Sequence, residues 1–152
     1  MGKVIIFSAP SGSGKTTIVR ELLKRFPQFE FSVSATSRAP RGCERHGCDY
    51  HFMTHEEFMR AVADVVGGIN LKRIFGDDAC SIFVMPPSIG ELRRRLVCRG
   101  TDAPEVIDRR VAKAEFELTK APEFDHIVVN DSLDEAIRET TAIIDQFIAR
   151  QP

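Results

Sequence analysis

No apolar run in the 152 residues approaches the length that crosses a bilayer, so no membrane-spanning helix is expected. A secretory leader is not expected either, because Lys3 precedes only four apolar residues, Val4 to Phe7. Met1-Gly2 invites an acyl anchor, but Ile6 stands where Ser or Thr is required. Net charge is also missing: at −1 nothing global draws the chain to nucleic acid or an anionic membrane. Basic charge is local instead, at Arg93, Arg94, Arg95, Arg99, Arg109 and Arg110. There are only four cysteines, and with no leader they read as free thiols, with Cys80 a small core residue. Internal repeats and low-complexity linkers are absent too. A single cytoplasmic domain is therefore expected, with charged (28%) and hydrophobic (43%) fractions ordinary for a globular protein.

Against these absences stands one dense stretch, Val4 to Thr17. Four apolar residues give way to small ones and end on Gly14-Lys15-Thr16, which reads as a buried strand, a tight loop and a helix start. The stretch fits the phosphate-loop pattern G-x-x-x-x-G-K-[ST], with Ala9 in place of the first Gly and Pro10, Ser11, Gly12 and Ser13 between. Gly12 and Gly14 can adopt backbone conformations closed to other residues, which turns successive N–H groups inward on a phosphate. The helix that follows aims its unpaired N–H groups at the same spot. Lys15 would reach the outer phosphates of a bound nucleotide, Thr16 would ligate Mg²⁺, and Thr17 would complete the nucleotide-binding segment.

Ile18, Val19, Leu22, Leu23 and Phe26 recur at helical spacing until Pro27. Phe29, Phe31, Val33 and Ala35 alternate with polar residues as a second strand, which delivers a Pro/Gly loop carrying Arg38 and Arg41. Residues 49–53 read as a small strand, and Thr54 with Glu57 as a helix start. Residues 61–66 fit either helix or strand, Gly67-Gly68 reads as a break, and a short helix stops at Gly76. Then a strand, 81–85, leads to a helix opened by Ser88 and Glu91 and running through about Cys98. A further helix runs from about Pro104 to Pro122, with Ile107, Val111, Ala114, Leu118 and Ala121 on one stripe. The last strand, 127–129, leads to a helix opened by Ser132 and Glu135 that carries Ala136, Ile137, Thr140, Ile144 and Ile148 inward. Alternating strands and helices predict an α/β fold, a parallel sheet with helices on both faces and the ligand beyond the strands' carboxyl ends. Cys43, His46, Cys48, His51 and His55 invite a zinc reading, but the spacing is wide and no second paired half follows.

The segment Ser32-Val33-Ser34-Ala35-Thr36-Ser37-Arg38-Ala39-Pro40-Arg41 after a phosphate loop resembles the guanylate kinases, as do Gly47-x-Asp49-Tyr50-x-Phe52, Glu56-Glu57-Phe58, Pro86-Pro87-Ser88, Arg99-Gly100-Thr101 and Val129-Asn130-Asp131, in family order. The resemblance implies a P-loop NTPase-type sheet and transfer of the γ-phosphoryl of ATP to GMP, with Mg²⁺. It implies a core at 1–34, 64–97 and 116–152, a reduced GMP-binding region at 35–60 and an arginine-bearing lid at 98–115. Ser34, Arg38, Arg41 and Tyr50 would hold the GMP phosphate. Planar guanidinium forks beside hydroxyl donors suit a dianion. Arg95, Arg99 and Arg110 would serve as catalytic residues with Lys15 and Arg38, reaching the ATP phosphates and the transferring group. Asn130 and Asp131 would lie near the adenine. ATP and GMP are the expected partners, with no nucleic acid and no membrane, and with a monomer or a dimer equally open.

The chain departs from the family between Phe58 and Gly67. Guanylate kinases carry there a further excursion with a Glu that reads guanine, a helix, and a strand ending in Asp-x-Asp. Asp64 matches the second Asp and takes the GMP-side position, whereas Val62 stands at the first. Two alternatives stay open on the sequence: an inactive guanylate-kinase-like module that binds a protein partner, and another small-molecule kinase on the same scaffold. Intact Gly14-Lys15-Thr16 and the lid arginines speak against the first.

Overall fold

The computed structural model describes residues 3–30, 35–36, 39–40, 42–46, 51–52 and 64–150. Strand β1 (Val4–Ser8) runs into helix α1 (Lys15–Arg25). Two short strands follow, β2 (Ala35–Thr36) and β3 (His51–Phe52), then α2 (Asp64–Phe75), β4 (Ala79–Met85), α3 (Ile89–Cys98), α4 (Pro104–Leu118), β5 (His126–Val129) and α5 (Leu133–Ala149). β1, β4 and β5 form one parallel sheet in that order, with Val4 opposite Ala79 and Met85 opposite Val129. This is the expected α/β architecture.

The alternation of β4 divides the core. Cys80, Ile82 and Val84 face α1 and α5, packing on Ile18, Leu22, Phe26, Val128, Ile137 and Ile144. Phe83 and Met85 face the other side, where Val65 and Ile69 of α2 meet Ala121 and Phe124. As the central strand, β4 is buried along nearly its whole length. Cys80 is 3% exposed, and burial, then the Asp125 charge, pushes its thiol up to about 11.

Several elements differ from the sequence reading. Gly67-Gly68 does not break the chain but lies inside α2. A side chain at Gly68 would come within 3.3 Å of the Phe124 ring and 3.5 Å of the Ile6 side chain, so a glycine lets the helix lie close to the sheet. Asp64 to Val66 are helical, and among the described residues no strand pairs with the outer edge of β1. Phe29 precedes β2 and stacks on Phe26, with ring centroids 5.1 Å apart. Ala35 and Thr36 pair with His51 and Phe52 in a second parallel pair instead of joining the main sheet. Residues 31–34 and the helix start at Thr54 lie outside the described residues.

Helix ends follow local chemistry where the partner is local. Ser88 Oγ accepts the Glu91 N–H at 3.1 Å, as its spacing predicts. Ser132 caps α5 by position, yet its side chain makes no capping bond. On α5, Phe147 (7% exposed) continues the buried stripe and Ile148 (36%) turns outward, because the 3.6-residue period carries the stripe from Ile144 to position 147. The Lys3 ammonium closes the end of that helix, donating to the carbonyls of Phe147, Ile148 and Arg150. α4 ends at Leu118, ahead of Pro122, which sits in a separate 3-10 turn.

A polar cluster ties α2 to the sheet. Asp125 Oδ2 accepts the Ser81 N–H at 2.8 Å and the Ser81 hydroxyl at 2.9 Å, and Lys72 Nζ lies 3.1 Å away. Burial alone would raise the Asp125 carboxyl, but the Ser81 amide, Lys72 and the Ser81 hydroxyl together hold it below the usual range. A depressed carboxylate stabilises the fold above its unfolded pKa of about 3.9, and that contribution disappears as pH falls through the lower folded value. Asp125→Asn is therefore expected to lose about 1–2 kcal/mol at pH 7, a figure reduced for partial exposure. Thermal unfolding of both proteins should show the difference shrinking as pH falls below the unfolded pKa. An equal difference at pH 7 and in strong acid would refute the assignment.

Candidate active site at the phosphate loop

The loop lies beyond the carboxyl end of β1, as strand polarity in such a sheet requires. Gly12 and Gly14 have φ of 94° and 91°, in the left-handed region that favours glycine. The Ser13 N–H turns back to the Pro10 carbonyl at 3.1 Å, closing the loop. Lys15 is the first residue of α1, and Thr16 and Thr17 follow, exposed, in a first turn that contains no acidic residue. That turn has N–H groups without intrahelical partners and a dipole that favours anions. Ala9 packs on the core, Pro10 is buried and Ser11 is exposed. The Ser13 hydroxyl is buried with no partner among the described residues.

The segment 98–115 meets this loop through Arg110. Its Nη1 lies 3.4 Å from Ser11 Oγ and 3.1 Å from Asp102 Oδ2. Side-chain exposures of 18% and 11% mark the Arg110–Asp102 pair as partly desolvated, which strengthens its attraction. Asp102, the partner of Arg110, is a residue the sequence reading did not single out. It lies eight positions before Arg110 across a helix start, and no periodicity advertises such a contact. α3 and α4 pack on each other through Leu92, Leu96, Ile107, Val111 and Ala114. Gly12 sits against Leu92 and Leu96, so α3 backs the loop.

The other predicted residues separate into four groups. Arg99 stands exposed at the end of α3. Arg95 is turned to the protein itself, its Nε donating to Glu91 at 2.9 Å and its Nη2 to the Asn130 carbonyl at 3.0 Å. Asn130 is 6% exposed, and its side-chain amide donates to the Ser13 carbonyl at 2.8 Å. Asp64 opens α2. Ser34, Arg38, Arg41 and Tyr50 lie outside the described residues. An open groove of about 620 Å³, lined by Lys3, Lys72, Cys80, Asp125 and His126 among others, lies at the opposite ends of the strands, away from the phosphate loop.

A sequence model of the guanylate kinase family matches residues 1–65 and 70–147. The chain belongs to the guanylate kinase family. The guanylate kinase of Bacteroides thetaiotaomicron is 46% identical, over 99% of this chain and 92% of that protein. That of Chlorobaculum tepidum is 39% identical, over 97% of this chain and 94% of its own. The crystal structure of guanylate kinase from Anaplasma phagocytophilum superposes with a TM-score of 0.74 at 25% identity, covering 99% of this chain and 88% of that one. The alignment to the Bacteroides guanylate kinase spans 187 positions, more than the 152 residues here, so that relative carries a stretch this chain lacks. The family match is interrupted between residues 65 and 70.

Proposed function

We propose that the protein transfers the γ-phosphoryl group of ATP to GMP, giving ADP and GDP. The observation that carries this reading is the meeting of a lid arginine with an intact phosphate loop: Arg110 reaches Ser11 from a separate helix, while Lys15 and Thr16 open α1 beneath it. Phosphoryl transfer asks a protein mainly for position and positive charge, and this arrangement supplies both. Lys15 neutralises charge on the outer phosphates, and Arg110, held by Asp102, faces the transferring group. Arg99 joins it from the lid at 98–115.

The donor set suits Mg²⁺. Thr16 offers an exposed hydroxyl oxygen in the first helical turn, and this ion keeps several waters and takes its other ligands from phosphates. Bound there, Mg²⁺ would shield the negative charge of the ATP phosphates.

The region 35–60 takes the acceptor: its Arg38, Arg41 and Tyr50, with Ser34 just before it, bind the GMP phosphate, and Asp64 beyond it borders the nucleoside. The chain works in the cytoplasm on these two nucleotides, as a monomer or a dimer. Arg38→Ala or Arg41→Ala is expected to weaken GMP binding by about 2–4 kcal/mol, since a phosphate loses a charge-assisted partner. Guanosine, with no phosphate, should bind both variants as it binds the wild type. Calorimetric titration with the two ligands checks this, and an equal loss for both would place the arginines in folding instead.

A further inference from the structure

Asn130 is fixed by every polar group of its backbone and by its side-chain amide. Its N–H donates to the Met85 carbonyl at 2.8 Å, extending the β4–β5 ladder by one residue. Its own carbonyl accepts from Arg95 Nη2 at 3.0 Å. Its side-chain Nδ2 donates to the Ser13 carbonyl, 117 positions away in sequence, in a buried bond of 2.8 Å. A carbonyl oxygen is the facing atom, so the amide nitrogen and not the amide oxygen must point at it. The contact is close: a Cβ on Gly14 would fall 2.2 Å from that same Nδ2. Gly14 is thus required twice, once by its φ of 91° and once by the amide lying against it.

We infer that Asn130 is a positioning residue for ATP, one that holds the phosphate loop in its binding shape and is itself held by Arg95 and Glu91. The inference rests on the reading of residues 9–17 as the ATP site. A loop that turns its N–H groups toward an anion must turn carbonyls away from it, and a buried carbonyl needs a donor. Ser13 is 0% exposed, so water cannot serve its carbonyl, and Asn130 supplies the donor. The grip continues outward. Arg95 is held at Nε by Glu91, whose carboxyl is also bridged by Arg94 at 2.7 Å through both Nε and Nη2. Bonds from Arg94, then Arg95, pull that carboxyl down to about 2, so it stays ionised at neutral pH. Arg95 and Asn130 therefore act through the loop, on the helix that leads to the lid, and neither side chain needs to touch the nucleotide.

Asn130→Asp tests this with little change in shape, placing a carboxylate oxygen against the Ser13 carbonyl where a donor stood. Its KM for ATP and its dissociation constant for ATP by calorimetry are expected to rise about 10–100-fold. The KM for GMP should stay within about twofold of wild type, because the bonds of Asn130 among the described residues run to Met85, Arg95 and Ser13 and not to the acceptor side. Arg95→Lys, a milder change that keeps one donor for the Asn130 carbonyl, should move ATP affinity the same way by about 3–10-fold and should fold normally. A purely structural role would lower the melting temperature and leave the KM for ATP unchanged, and that result overturns the inference. Equal rises in both KM values overturn it too. Wild-type protein that fails to bind ATP removes the reading of the loop itself, and the inference with it. Wild-type binding with undiminished binding by both variants removes the inference alone.

Discussion

Lys15→Met is expected to lower the catalytic constant by about 10²–10³-fold or more while leaving the affinity for GMP nearly unchanged. Lys15 opens α1 at the phosphate loop, where the helix N-terminus would already offer N–H groups to the phosphates of ATP. Its ammonium adds the one mobile full charge of the loop. Methionine keeps the length and apolar stem of the side chain and deletes that charge, so the loop geometry set by Gly12, Gly14 and Asn130 is preserved. The loss then falls on the developing charge of the transferring group. Initial rates at saturating ATP, paired with a GMP titration of the variant, check it. Most of the turnover surviving in Lys15→Met would remove the loop from the chemistry.

The second large effect concerns the base. The resemblance assigns guanine recognition to a Glu in the stretch that runs short here, and α2 begins at Asp64 with the family match breaking just beyond it. A site that pairs a base's own donors rejects analogues by several orders of magnitude, and one that does not forfeits this selectivity. Where residues 60–66 replace that stretch in shortened form, the expected preference for GMP over AMP is small, within about tenfold in kcat/KM, and GMP turnover is expected to be slow. A molecule with further residues there is expected to show ordinary GMP kinase activity. Rates with GMP, AMP, UMP and CMP at matched concentrations measure it. Brisk turnover with a preference of about 10⁴ for GMP would mean that another group reads the base.

What the sequence made legible was local. The loop announced itself because Gly14, Lys15 and Thr16 are adjacent in the chain, and the Ser88–Glu91 cap because its partners are three residues apart. The stripes of α1 and α4 followed from a 3.6-residue period. Long-range contacts were illegible. Gly67 and Gly68 read as a break because glycine disfavours helices, yet the close approach of Phe124 and Ile6 outweighs that preference at Gly68. The Ser81–Asp125–Lys72 cluster, the Asp102–Arg110–Ser11 latch and the Asn130–Ser13 bond join residues that no spacing rule connects. Arg95 was legible as a residue type at a motif position, but the bonds of its guanidinium to Glu91 and to the Asn130 carbonyl were not.

The direct test of the account is product analysis of the purified chain incubated with ATP, Mg²⁺ and GMP. Chromatographic separation should show GDP and ADP appearing in equal amounts, with neither formed by Lys15→Met under the same conditions. ATP that binds yet yields no GDP at any GMP concentration would contradict phosphoryl transfer to GMP and leave a binding module in its place.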